Sequence, residues 1–188
     1  MEKKKYIINL YHIQEACMRN DEIRQESRGQ GLEDFQYIHF FKHWAVATDR
    51  LIVAILDLSI ASTLDEVDLE ILNGKTLDAK SFEKVCSGED LLIDYKGITV
   101  KSKNKEQEFY CYANVQTSDQ IPILIRMIEK EGKEEAGIVD EMILYPNEMK
   151  KICEVLDGMP LVMKFHKKGG MVVIEDKDMG LKIAFYHK

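Results

Sequence analysis

The feature that most limits what this chain can fold into is an internal repeat. The segment Lys75-Thr76-Leu77-Asp78-Ala79-Lys80-Ser81-Phe82-Glu83-Lys84-Val85-Cys86 aligns with Met142-Ile143-Leu144-Tyr145-Pro146-Asn147-Glu148-Met149-Lys150-Lys151-Ile152-Cys153 at an offset of 67 residues. This offset places Phe82 on Met149, Lys84 on Lys151, Val85 on Ile152 and Cys86 on Cys153. Each copy reads as a short strand, then a helix opened by Asp78 or Asn147 as N-cap and stopped at Gly88 or Gly158. Alternating segments follow: Leu91 to Tyr95, Ile98 to Val100 and Glu108 to Tyr112 in one copy, Leu161 to Phe165, Met171 to Ile174 and Lys182 to Tyr186 in the other. Each copy is therefore a β-α-β-β-β unit.

The first seventy residues repeat the order of elements more loosely. A strand is expected over Tyr6 to Leu10 and a helix carrying Ile13, Ala16, Cys17 and Ile23. Strands follow over Tyr37 to Phe41, Trp44 to Thr48 and Leu51 to Leu58. Ser59 to Asp68 reads as a linker, as does the charged stretch from Lys130 to Gly137. Ile123 to Ile128 fits strand or helix equally. The expected organisation is a domain of two units over residues 1–122 and a third, half-domain unit over residues 138–188. The fold class is α+β, with antiparallel sheets and short helices on one face.

The longest apolar run, Leu51 to Leu56, is too short to span a bilayer, and Tyr6 to Leu10 is too short for the apolar region of a signal peptide. The expected location is the cytoplasm, without membrane association. The four cysteines form no C-x-x-C pair and lie among apolar neighbours, so buried, reduced thiols are expected rather than disulfides or zinc ligands. A net charge of −7 disfavours general attraction to nucleic acid and leaves room only for a locally basic face.

No phosphate-binding glycine loop, nucleophile elbow or H-E-x-x-H motif is present, and no pair of carboxylates can be placed across a cleft. Neither catalysis nor a cofactor is expected. His39 and His43 lack a third ligand, so no metal site is expected. Tyr37, Phe40, Phe41 and Trp44 read as core or contact aromatics rather than a stacking platform for single strands.

A strand–helix–three-strand unit used twice in a domain resembles the fold of the DNA sliding clamps. The segment Ala45-Val46-Ala47-Thr48-Asp49-Arg50-Leu51 is similar to the inner-strand turn of bacterial clamps. Glu108 to Val115, continuing to Ile121-Pro122, resembles the strand and loop that close a clamp domain, and Met142 to His187 resembles the closing half of a clamp subunit. The resemblance implies a non-catalytic processivity or tethering factor that contacts double-stranded DNA without reading sequence. It also implies a polymerase or other replication protein as partner, and self-association through edge strands into a ring or partial ring. The DNA-backbone contacts it implies lie on the helices: Arg19, Arg24 and Arg28, then Lys80 and Lys84, then Lys150 and Lys151. An ordinary solvated helix face is the competing reading of these cations, because Glu15, Glu83, Glu148 and Glu154 lie among them. The competing function is an interaction module of the same fold that binds a replication or host protein and makes no contact with DNA.

Overall fold

A computed structural model of the protein describes residues 4–8, 10–19, 32–104, 106–131, 145–159, 163–165 and 171–186. Apolar, β-branched and aromatic residues fill the strands of the first unit: β1 (Tyr37–Phe41), β2 (Trp44–Thr48) and β3 (Ile52–Asp57). The second unit contributes β4 (Thr76–Asp78), β5 (Asp90–Ile93), β6 (Gly97–Lys101) and β7 (Gln107–Cys111). The third contributes β8 (Met163–Phe165), β9 (Met171–Asp176) and β10 (Leu181–Tyr186).

These strands form two antiparallel sheets. The larger has the order β4-β1-β2-β3-β10-β9-β8, and the smaller is β5-β6-β7. The last strand of the first unit, β3, pairs with the last strand of the third, β10, with Ala54 opposite Ile183 and Ile52 opposite Phe185. One sheet thus runs through units that are far apart in sequence, while the second unit keeps its own sheet and lends only β4.

Five α-helices are described: α1 (Leu58–Ala61), α2 (Glu66–Leu72), α3 (Ala79–Cys86), α4 (Gln120–Glu131) and α5 (Pro146–Leu156). A 3₁₀ turn over Tyr11–Ala16 stands where the first unit was expected to have its helix, and another covers Leu32–Gln36. The 3₁₀ turn at Tyr11–Ala16 packs against both α3 and α5, so the three make one layer against the sheets. Phe82 of α3, Ile152 of α5, Phe40, Leu56 and Phe185 meet there in a single core, which also takes in Leu91, Ile93, Ile98 and Val100 of the smaller sheet.

Helix α4 lies on the other side. Its Ile121, Ile125 and Ile128, spaced along one helical face, pack on Trp44, Val46, Val53, Ile55 and Val173. The segment that fitted strand or helix from sequence is a helix, and Pro122 sits in its first turn, where a missing N–H costs little.

The structure revises the repeat register. The buried residues of α3 are Phe82, Val85 and Cys86, and those of α5 are Ile152, Val155 and Leu156. They coincide at an offset of 70 residues, not 67, and the offset of 70 also superposes Gly88 on Gly158. Helix α5 carries an extra turn at its start, 11 residues against 8, which shifted the apparent alignment by about one helical turn. Asp78 caps α3 as expected, accepting from the N–H groups of Lys80 and Ser81. Asn147 does not cap α5. Tyr145 is the N-cap without a side-chain bond, and Pro146 occupies the first turn, where its fixed φ suits a helix.

Two further expectations change. Among the described residues of the span Tyr6 to Leu10, only Ile7 makes a β-bridge, to Ser62. The span Ser59 to Asp68 is not a linker, because its acidic and hydroxyl residues serve helix starts. Asp57 caps α1, and Asp65 forms a capping box with Asp68 at the start of α2. The linker expected from Lys130 to Gly137 lies, beyond Glu131, outside the described residues.

Candidate nucleic-acid interface

Helix α3 buries Phe82, Val85 and Cys86, which turns Lys80 and Lys84 outward on a common stripe one helical turn apart. Both are exposed, and neither makes an ion pair among the described residues. Arg19 follows the 3₁₀ turn that separates α3 from α5. Its guanidinium binds Glu15 and Glu154, each at 2.9 Å. Lys150 of α5 approaches the same Glu154 at 3.8 Å. Arg19 and Lys80 also line a common groove of about 510 Å³, together with Glu15, Tyr37, Asp78 and Glu83. Lys80, Lys84, Arg19 and Lys150 therefore belong to one helical layer, interleaved with carboxylates. Arg24 and Arg28 lie outside the described residues.

Lys151 is differently placed. Its ammonium lies 2.5 Å from Asp49 Oδ2, with side-chain exposures of 11% for Lys151 and 4% for Asp49. The other carboxylate oxygen of Asp49 accepts from the N–H groups of Leu51 and Ile52, both at 2.9 Å. Thr48 Oγ1 donates to the Ile52 carbonyl and accepts from the Arg50 N–H, and Arg50 has a left-handed φ of 78°. The clamp-like turn is thus a side-chain-braced reversal between β2 and β3, and Lys151 neutralises its carboxylate from the third unit. A phosphate would have to compete with a buried carboxylate for this ammonium. Sequence reading placed both residues in motifs and missed their partnership, because nothing local joins positions 49 and 151.

The remaining candidates separate in space. His39 is buried, with Nε2 2.8 Å from the Asp34 carbonyl, and burial holds its imidazole below the usual pKa, against the opposing pull of that carbonyl. His43 lies in the β1–β2 turn with its ring against Trp44. No cluster of three metal-ligating side chains occurs among the described residues. Phe40 packs against Phe82 in the core shared with the helical layer, whereas Trp44 and Phe41 lie on the opposite face beneath α4.

Cys17 and Cys86 are buried, and desolvation pushes both thiols well above their ordinary pKa. Cys111 and Cys153 are exposed, contrary to expectation. In the corrected register Cys153 occupies the place of Glu83, on the outer side of its helix.

Comparison with solved structures reveals the same architecture in bacterial sliding clamps. The DNA polymerase sliding clamp from Bacillus subtilis matches at a TM-score of 0.57 and 9% identity, covering 100% of this chain. DNA polymerase III β subunit from Thermotoga maritima matches at 0.55 and 10% over 98% of the chain, and that from Borrelia burgdorferi at 0.54 and 12% over 99%. This chain spans 64% of the length of each of these three proteins. No family model and no curated protein matches the sequence. The fold is that of a distant sliding clamp. No helix among the described residues is long and apolar enough to cross a membrane.

Proposed function

We propose that this protein is a non-catalytic, clamp-like factor that associates with double-stranded DNA through its helical layer and tethers a replication protein there. The observation that carries this reading is the gathering of Lys80, Lys84, Arg19 and Lys150 on the layer made by the 3₁₀ turn, α3 and α5. The likeness to solved polymerase clamps supports it at the level of fold. Cations on such a face meet phosphates without reading bases, and each contact releases condensed counterions. Glu15, Glu83 and Glu154 among those cations make the expected binding weak and steeply dependent on salt. The proposed partners are duplex DNA of any sequence, a polymerase or another replication protein, and further copies of the chain. No cofactor is proposed, and the role is a cytoplasmic one. In this reading residues 1–122 form the clamp-like domain and residues 138–188 its half-domain extension.

A second reading rests on a specific observation. Arg19 is bound to two glutamates, Lys150 leans on one of them, and Lys151 is engaged with Asp49. A face so nearly neutral suits an interaction module that keeps the fold and binds protein alone.

Retention on closed circular and linear duplex DNA across a salt series separates the two. The tethering reading expects sequence-independent retention at low salt that is lost in the Lys80→Glu, Lys84→Glu, Lys150→Glu triple variant while the fold persists. Absence of retention on either DNA by the unaltered protein at low salt would leave the interaction module.

A further inference from the structure

The face of the larger sheet beneath α4 ends in a pocket, and strand register assembles it. Trp44 lies opposite Asp57, Ile55 opposite Lys182, and Lys182 opposite Glu175. Side chains alternate along a strand, so Asp57 shares the face of Ile55, and Trp44, Lys182 and Glu175 join them there. With Ile60 and Asp176 these residues enclose about 220 Å³. The pocket sits at the opposite end of the β2–β3 hairpin from the braced turn at Asp49.

The charges in the pocket are not equally engaged. Glu175 holds the Lys182 ammonium at 3.4 Å, and that ammonium stands over the Trp44 ring, 5.8 Å from its centroid. Asp176 accepts from the N–H groups of Asp178 and Met179 within its own turn. Asp57 is only half used. Its Oδ1 caps α1, accepting from the N–H and hydroxyl groups of Ser59. Its Oδ2 has one neighbour of opposite polarity among the described residues, His43 Nε2, at 4.0 Å and beyond hydrogen-bond distance. The Asp57 side chain is 14% exposed, so this oxygen is a largely desolvated acceptor beside an aromatic wall. Such a group is costly to leave without a donor.

We propose that this pocket binds an alkyl guanidinium group, as at the end of an arginine side chain or on a small free guanidine. A guanidinium directs planar N–H groups at a carboxylate and lays its flat face on an aromatic ring. Asp57 Oδ2 and the Trp44 indole offer both surfaces within one pocket. Lys182 shows within the chain itself that the ring accepts a cation, and it stands near the outer limit of about 6 Å for that contact. Three carboxylates line the pocket against the ammonium groups of Lys177 and Lys182, so its net charge favours a cation. Its volume lies below the about 300–1,000 Å³ typical of pockets for drug-sized ligands, which suits a single side-chain end and excludes a nucleotide. The site is on the face opposite the helical layer, and it holds whether or not that layer meets DNA.

Trp44 is the only tryptophan of the chain, so its emission reports on the pocket directly. The probes are N-acetyl-arginine amide, its citrulline counterpart and butylguanidinium, titrated at low millimolar concentration into the full chain without DNA. The expected result is a saturable change with both guanidinium probes and none with the citrulline compound, which has a similar shape and no charge. Tighter binding of the blocked arginine assigns the side chain of a partner protein, and tighter binding of butylguanidinium assigns a free guanidine; either upholds the site. Asp57→Asn keeps a good N-cap for α1 while removing the charge. It should weaken binding at least about tenfold with far-ultraviolet circular dichroism unchanged. No saturable response to either guanidinium, or an equal response to citrulline, overturns the proposal on the unaltered protein alone. So does a folded Asp57→Asn variant that binds as tightly as before, whatever the outcome of DNA retention.

Discussion

The two sheets are both antiparallel and share one helical layer and core, yet they meet solvent differently. In the larger sheet β2 is buried at every position and β3 at all but Asp57, because the helical layer covers one face and α4 the other. Among the described residues only one face of the smaller sheet is covered: Leu91 and Ile93 are buried while Leu92 between them is 59% exposed, and Phe109 is 48% exposed. Side chains track the cover. Val46, Val53, Ile55 and Val173 lie beneath α4, whereas Leu92, Thr99 and Phe109 form an open row across β5, β6 and β7. One helix outside the repeat thus decides whether a unit presents a wet or a dry outer face.

The sharpest way to break the comparison is at the helices that carry the two sheets. Lys151→Ala strands the buried Asp49 carboxylate and should cost about 3–5 kcal/mol. Ser81→Ala, at the equivalent place on α3, removes a hydroxyl bond to the cap Asp78 and should cost no more than about 1.5 kcal/mol. Urea unfolding measures both, and equal losses would mean that the ion pair does not lock the third unit to the β2–β3 turn. Next in size is the cover itself. Ile125→Ala should destabilise by about 2–5 kcal/mol, while Leu92→Ala on the open face should stay within about 0.5 kcal/mol. A large loss from Leu92→Ala in dilute monomer would show that the open face is covered after all.

Acid should sharpen the contrast further. Burial lowers the His39 pKa, so the unfolded chain binds more protons than the folded one below about pH 6.5. Stability is then full above that pH and falls toward the folded pKa at a slope of at most about 1.4 kcal/mol per pH unit. The smaller sheet holds no histidine, so amide exchange should accelerate first in β1 and β2, and His39→Gln should remove the effect. The smallest difference concerns helix starts. Asp78→Ala should cost about 1 kcal/mol, and Asn147→Ala on α5 should lie within about 0.5 kcal/mol, which thermal unfolding can resolve if Asn147 is no cap.

Much of the fold was legible because its signals are local. Asp78 before an amphipathic stretch, Gly158 after one, and alternation from Leu91 to Ile93 each express a backbone need or a face within a few residues. The register of the repeat was misread because helices of 8 and 11 residues align deceptively from their starts, whereas burial aligns them from their ends. The acidic stretch from Ser59 to Asp68 looked like a linker since caps and turns draw on the same residues. For the candidate site, residue types were readable but their partners were not. Glu154 was legible as an acidic neighbour of Lys150, four residues away, but its 2.9 Å bond to Arg19 joins distant units and was not.

The sequence by itself determined the β-α-β-β-β order of the second unit, the β1–β3 meander and the outward stripe of Lys80 and Lys84, because periodicity and capping act over one or two turns, while the strand expected to open the third unit lies outside the described residues. Only the tertiary structure decided that β3 continues into β10, that α4 lies across the outer face of the larger sheet, and that Lys151 belongs to Asp49. Each of these joins positions tens of residues or more apart. Hydrogen-bonding edges and buried charges carry no address in sequence. They are satisfied by whichever complementary group the folded chain brings near.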